Sequence, residues 1–107
     1  MSKYNGEKYA NHIGYSDVTP YEVIKHTEKT ITVREMDATI DPDWKPSFVT
    51  GGFAGHCVNQ NEQKWIITSN PNRIPIKAYL RKDGYYHSKY GKHSLSNTPV
   101  SFYDYNF

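Results

Sequence analysis

The strongest constraint on this chain is the alternation in residues 74–81 (IPIKAYLR), where Ile74, Ile76, Ala78 and Leu80 share one parity and Pro75, Lys77, Tyr79 and Arg81 the other. Side chains along a strand repeat every two residues, so the run predicts a half-buried antiparallel strand, with Pro75 placing its start on a sheet edge. Lys82-Asp83-Gly84 follows, and Asp-Gly is a hairpin signal that turns the chain back into Tyr85-Tyr86-His87. A second hairpin is expected from two β-rich runs, residues 21–25 and 30–34, on either side of His26-Thr27-Glu28-Lys29. Past Arg34 the apolar positions slip by one to Met36, Ala38 and Ile40, which calls for a bulge or sharp bend near Glu35. Helical periodicity never exceeds two turns and no internal repeat occurs.

The remaining segments fit the same class. Residues 1–12 are polar, with Tyr4 and Tyr9 as the only sizeable anchors, and read as an N-terminal extension preceding a single β domain over 13–107. Residues 41–46 (DPDWKP) form a loop in which Trp44 sits between two prolines, either as a lid over the core or as an exposed stacking surface. A short strand at 47–50 ends at Gly51-Gly52, and the continuous apolar run of 65–68 (WIIT) predicts a central strand. Residues 69–72 are a turn, 88–99 read as polar and turn-like, and 100–107 as an aromatic closing strand. At 107 residues there is room for one modest core. Ten tyrosines, an aromatic share of 15% and a mean hydropathy of −0.82 imply that rings supply much of the buried area. The expectation is an all-β, mostly antiparallel domain of six or seven strands, a small SH3-like barrel or compact β-sandwich with irregular loops.

Composition also removes function classes. A net charge of +2 from 13 basic and 11 acidic residues spread along the chain does not supply the basic face of a duplex nucleic-acid binder. One cysteine, no apolar core of a secretion signal in the first twenty residues and no membrane-length apolar run read as a cytosolic chain with no membrane partner. His56 and Cys57 are adjacent and on a strand would point to opposite faces, so they cannot act as base and nucleophile for each other. A lone thiol without Cys-x-x-Cys or His-x-x-x-His spacing gives no zinc signature. Asp37, Asp41 and Asp43 flank Pro42 and read as turn formers rather than paired catalytic acids. Residues 51–55 (GGFAG) lack the Gly-Lys-Ser/Thr of a phosphate loop. No cofactor and no catalytic activity are expected.

The amides Asn59, Asn61 and Gln63, following His56 and preceding Trp65, are the more informative signal. Amides offer donors and acceptors together, suiting the edge of a nucleobase or ribose, while Trp44 or Phe53 could stack on its face. Arg34, Arg73 or Arg81 could then hold phosphate. The alternative is that these amides tie the loop's own backbone together.

The phrases GYSDVTPYEV (14–23), VREMDATIDPDWKP (33–46), GGFAGHCVNQNEQKWIITSNP (51–71), LRKDGYY (80–86) and FYDYNF (102–107) resemble a family of small, largely uncharacterised accessory proteins of tailed bacteriophages and prophages. The resemblance implies a phage protein made in the host bacterial cytoplasm and brings no catalytic signature with it. Small phage proteins of this kind are often counter-defence factors. The function expected from this company is capture and sequestration, without cleavage, of a nucleotide-derived bacterial immune signal by a homo-oligomer, in a pocket built on residues 51–65. The alternative is a protein-protein inhibitor of a host defence or replication complex, working through Tyr85, Tyr86, Tyr90, Tyr103 and Tyr105, since tyrosine is favoured at interface hot spots.

Overall fold

The computed structural model describes residues 4–45, 48–51, 54–57 and 63–103, with 48–51 and 54–57 described as backbone. Within them run β1 (Tyr9–Ile13), β2 (Val18–Thr19), β3 (Tyr21–His26), β4 (Thr30–Glu35), β5 (Asp37–Ile40), β6 (Phe48–Gly51), β7 (Ala54–Cys57), β8 (Trp65–Thr68), β9 (Ile76–Leu80), β10 (Tyr86–Ser88) and β11 (Gly91–Ser96). Six of these close an antiparallel barrel in the order β1-β3-β4-β9-β10-β11, and the ring shuts where β11 pairs back onto β1. The fold is therefore an all-β barrel, the first of the two expected architectures.

Both expected hairpins are present and their sequence signals account for them. In β4 the alternation buries Ile31 and Val33 completely, and the β3–β4 turn closes with Thr27 N–H donating to Thr30 O at 2.8 Å. The register slips between Val23 and Lys25, where Ile24 is turned out to 41% exposure. Gly84, at φ +86°, makes the β9–β10 turn, with its N–H on Arg81 O at 3.0 Å and the Asp83 carboxylate accepting from Tyr85 N–H at 3.0 Å. The core is Ala10, Tyr21, Ile31, Val33, Ala78 and Tyr86, to which buried His93 adds a polar ring. Two alanines beside two tyrosines follow from barrel geometry, because an interior this narrow admits large rings only where facing positions are small.

Of the bulge or sharp bend expected near Glu35, the structure shows a departure of the chain from the sheet. The chain leaves the barrel at Met36, whose N–H is held by Pro20 O at 3.0 Å, and β5 pairs outside the barrel with β8. β6 and β7 form a further two-stranded ribbon. The molecule measures 51 × 29 × 21 Å, and β5, β6, β7 and β8 form these ribbons and not barrel staves.

Four expectations are corrected. Residues 9–12 are no extension: β1 pairs with β11 from Tyr9↔Ser96 to His12↔His93, and Ala10 is fully buried. Residues 91–96, read as turn-like, are β11. Trp65–Thr68 is one strand of a ribbon, with Ile66 48% exposed, so its apolar run does not mark a central position. Ile74 is 84% exposed, and the alternation starts to count only at Ile76; β9 lies between β4 and β10, so Pro75 precedes an interior strand and marks no edge. Of the closing aromatic segment, Phe102 bridges to Val18, and residues 104–107, Tyr105 included, lie outside the described residues. Among the described residues no helix is long and apolar enough to cross a membrane.

Candidate functional site

An open cleft of about 360 Å³ lies at one end of the barrel, lined by Tyr21, Glu35, Arg73, Lys89 and Tyr90 among others. Strand register builds its floor. Tyr21 on β3 is opposite Glu35 on β4, and Val33 is opposite Ile76 on β9, so Tyr21, Glu35 and Ile76 stand together where the barrel ends. Partners on one face of adjacent strands are within side-chain reach, and the Glu35 carboxylate lies near enough to the Tyr21 phenol to act on it electrostatically. Burial, reinforced by that negative charge, pushes the Tyr21 phenol up to about 12, so it stays a protonated donor.

One wall is the turn between β8 and β9. Asn70 shapes it, accepting Asn72 N–H at 3.0 Å and Arg73 N–H at 3.2 Å while its amide donates to Asp37 at 3.1 Å. Arg73 is thereby delivered to two carboxylates, Asp37 at 2.9 Å and Glu35 at 3.4 Å. The Arg73 hydrogen bonds hold Asp37 below the usual aspartate range, with Asn70 adding to the effect.

The facing wall is the β10–β11 turn, fixed by a chain of polar contacts running into the core. His93 Nδ1 donates to Ala10 O at 3.0 Å; a carbonyl only accepts, so the ring carries its proton there and Nε2 accepts from Ser88 Oγ at 2.8 Å. Ser88 Oγ in turn accepts Tyr90 N–H at 3.2 Å, and His12 Nε2 donates to Tyr90 O at 2.8 Å. Burial is the main cause that drives the His93 pKa down to about 4, which keeps the ring neutral and the chain of donors intact. Gly91 is required at the turn: its φ is +128°, and a Cβ there would lie 3.2 Å from His12 Nε2. The result is a Tyr90 ring presented at 57% exposure, with the Lys89 ammonium 5.1 Å from its centroid.

The nine sequence-proposed residues are distributed differently from the single pocket expected. Arg73 is in the cleft. Arg34, its side chain only 18% exposed, pairs with Glu22 at 3.3 Å, and Glu22 also accepts from Ser69 Oγ at 2.6 Å; this is a strut between β3, β4 and the β8–β9 turn. Arg81 follows β9 at the end opposite Arg73, so the three arginines do not converge. Trp44 is 6% exposed, leaving no face to stack on. Gln63 is engaged with its own chain: it accepts Tyr103 N–H at 3.0 Å and Trp65 Nε1–H at 2.9 Å, and donates to Tyr103 O. His56 lies on β7 opposite Val49, and Phe53, Asn59 and Asn61 lie outside the described residues. Within the alternative aromatic surface, Tyr86 is fully buried and cannot contact a partner. Of the acids around Pro42, Asp41 accepts Asp43 N–H at 2.9 Å, the turn-forming role expected.

Sequence reasoning passed over Glu35, Asn72 and Lys89 and placed Tyr90 only on a general surface. The signal available was Tyr90-Gly91, an aromatic before a glycine in a polar stretch, which marks a turn able to hold a ring outward.

Fold and site together define a small closed β-barrel with a polar cleft at its mouth. Comparison with protein-family models, curated proteins and solved structures finds no match to this chain.

Proposed function

We propose that this protein is a non-catalytic binder that captures a nucleotide-derived small molecule, acting as a phage counter-defence sink for a bacterial immune signal in the host cytoplasm. The observation that carries this reading is the barrel-mouth cleft, whose size of about 360 Å³ falls in the range of small-ligand sites. Tyr90 offers a stacking face, Lys89 is a cation that makes no ion pair among the described residues, and Asn72 offers an amide at the rim. The resemblance to tailed-phage accessory proteins supplies the setting. Sequestration needs only affinity and abundance; a micromolar complex corresponds to roughly −8 kcal/mol, within reach of one stacked base and a few charged hydrogen bonds.

Isothermal calorimetry with cyclic nucleotides and cyclic ADP-ribose isomers tests this. Saturable heat from one of them, with intact ligand recovered after heating the complex, is the expected result; no heat from any overturns it, and recovery of a product makes the protein an enzyme. The competing reading, an inhibitor docking through aromatic side chains, draws on the exposure of Tyr79 at 48% and Tyr103 at 51%. It is favoured if a single stoichiometric host protein co-purifies. The same exposed rings support a homo-oligomer, which light scattering reads directly.

A further inference from the structure

The two carboxylates around Arg73 are not equivalent, and the difference indicates which ligand atoms the cleft recognises. Asp37 is heavily engaged and does not line the cleft: it takes Arg73 Nε at 3.1 Å, Arg73 Nη2 at 2.9 Å and the Asn70 amide at 3.1 Å. Glu35 is not. It has one long contact, to Arg73 at 3.4 Å, with its side chain 38% exposed on the cleft floor. A carboxylate has about four acceptor sites and no donor, so Glu35 presents spare acceptor capacity to whatever enters. Its negative charge repels a phosphate placed beside it, and Arg73 is already held by Asp37. Anion binding is therefore left to Lys89, while Glu35 selects a group rich in O–H or N–H donors.

We propose that the cleft reads the vicinal 2′,3′-hydroxyls of a ribosyl ligand through Glu35, held in place by Arg73, with the base on Tyr90. The chemistry is that by which an acidic side chain takes ribose hydroxyls in dinucleotide sites, here on an unrelated frame. This rests on the reading of the cleft as the ligand site, and it narrows the ligand class to ribonucleotides over their deoxy counterparts and over inorganic phosphate.

The test titrates the full-length protein, followed by amide NMR, with the four ribonucleoside 5′-monophosphates and their 2′,3′-dideoxy forms. At least one ribo form binds about tenfold or more tightly than its dideoxy partner, the factor expected for hydrogen bonds to a charged acceptor. Glu35→Gln brings that ratio close to one, whereas Tyr90→Leu weakens both forms together and preserves it. A ratio near one in the unaltered protein, with binding retained, overturns the diol assignment and leaves the binder reading standing. Absence of binding by every probe, and by the signalling nucleotides above, overturns both. The ratio in the unaltered protein decides the matter even where Glu35→Gln fails to fold.

Discussion

Lowering the pH from 7.5 to 4.5 destabilises this protein through His93. The ring is 1% exposed, donates from Nδ1 to Ala10 O and accepts at Nε2 from Ser88, so a second proton has to enter where an acceptor is in use. Burial, with smaller contributions from the positive charges of His12 and His87 and against the opposing Ala10 bond, moves its pKa from 6.5 to about 4. The unfolded chain takes up its proton near 6.5 while the folded chain refuses it until about 4, so stability is complete above 6.5 and is lost as the pH falls through that window. The loss amounts to roughly 3 kcal/mol when complete, a large share of the total stability of a domain this size. Urea denaturation at several pH values measures it, with His93→Gln as reference. Glutamine offers a donor and an acceptor but does not titrate, so the two curves converge as the pH falls, other titrating groups contributing equally to both. Equal losses in both proteins, or an NMR titration of the His93 ring near 6.5, would refute the reasoning.

Three further outcomes follow from single contacts. Tyr86 is fully buried in the core and its hydroxyl has no partner among the described residues, so Tyr86→Phe stabilises the fold by about 1 kcal/mol, raising Tm by roughly 4 °C in a thermal melt. Gly91→Ala meets both the positive φ and the 3.2 Å approach to His12, costs about 1–2 kcal/mol and, by displacing the Tyr90 carbonyl, weakens ligand binding in the same calorimetry. Gln63→Ala removes the clamp on Tyr103 and costs about 1–2 kcal/mol, with faster amide exchange at Tyr103 as the local readout.

How much could be read in advance depended on whether a strand's signal was local. The β3–β4 and β9–β10 hairpins announce themselves through alternation and turn chemistry, since Gly84 bonds back to Arg81 within its own turn and Val33 pairs with Val23 across its own hairpin. β1 and β11 do not. YANHI and GKHSLS look like solvated segments, and Ala10 is buried only because β11, more than eighty residues on, lies against it. Asn11 shows why polarity misled: its amide donates to Thr98 O at 3.1 Å and accepts Val100 N–H at 2.9 Å, which permits burial at 4% exposure. Trp65–Thr68 failed in the other direction, an apolar run set in a narrow ribbon. The cleft was legible only through Arg73. Glu35 and Tyr90 are ordinary residues until register and a turn bring them to the same rim.

Closure of the ring by the first and last of its staves has a kinetic consequence. The pairing of Tyr9 with Ser96 spans nearly the whole chain, so the hairpins can zip locally in microseconds while the seam waits for the far end to arrive. During synthesis the N-terminal stave leaves the ribosome long before its partner exists, and the incomplete sheet carries two open edges able to pair with another nascent copy. The yield of active protein is therefore set by a race between sealing this seam and cross-pairing, a race that slower growth at lower temperature and lower expression favour.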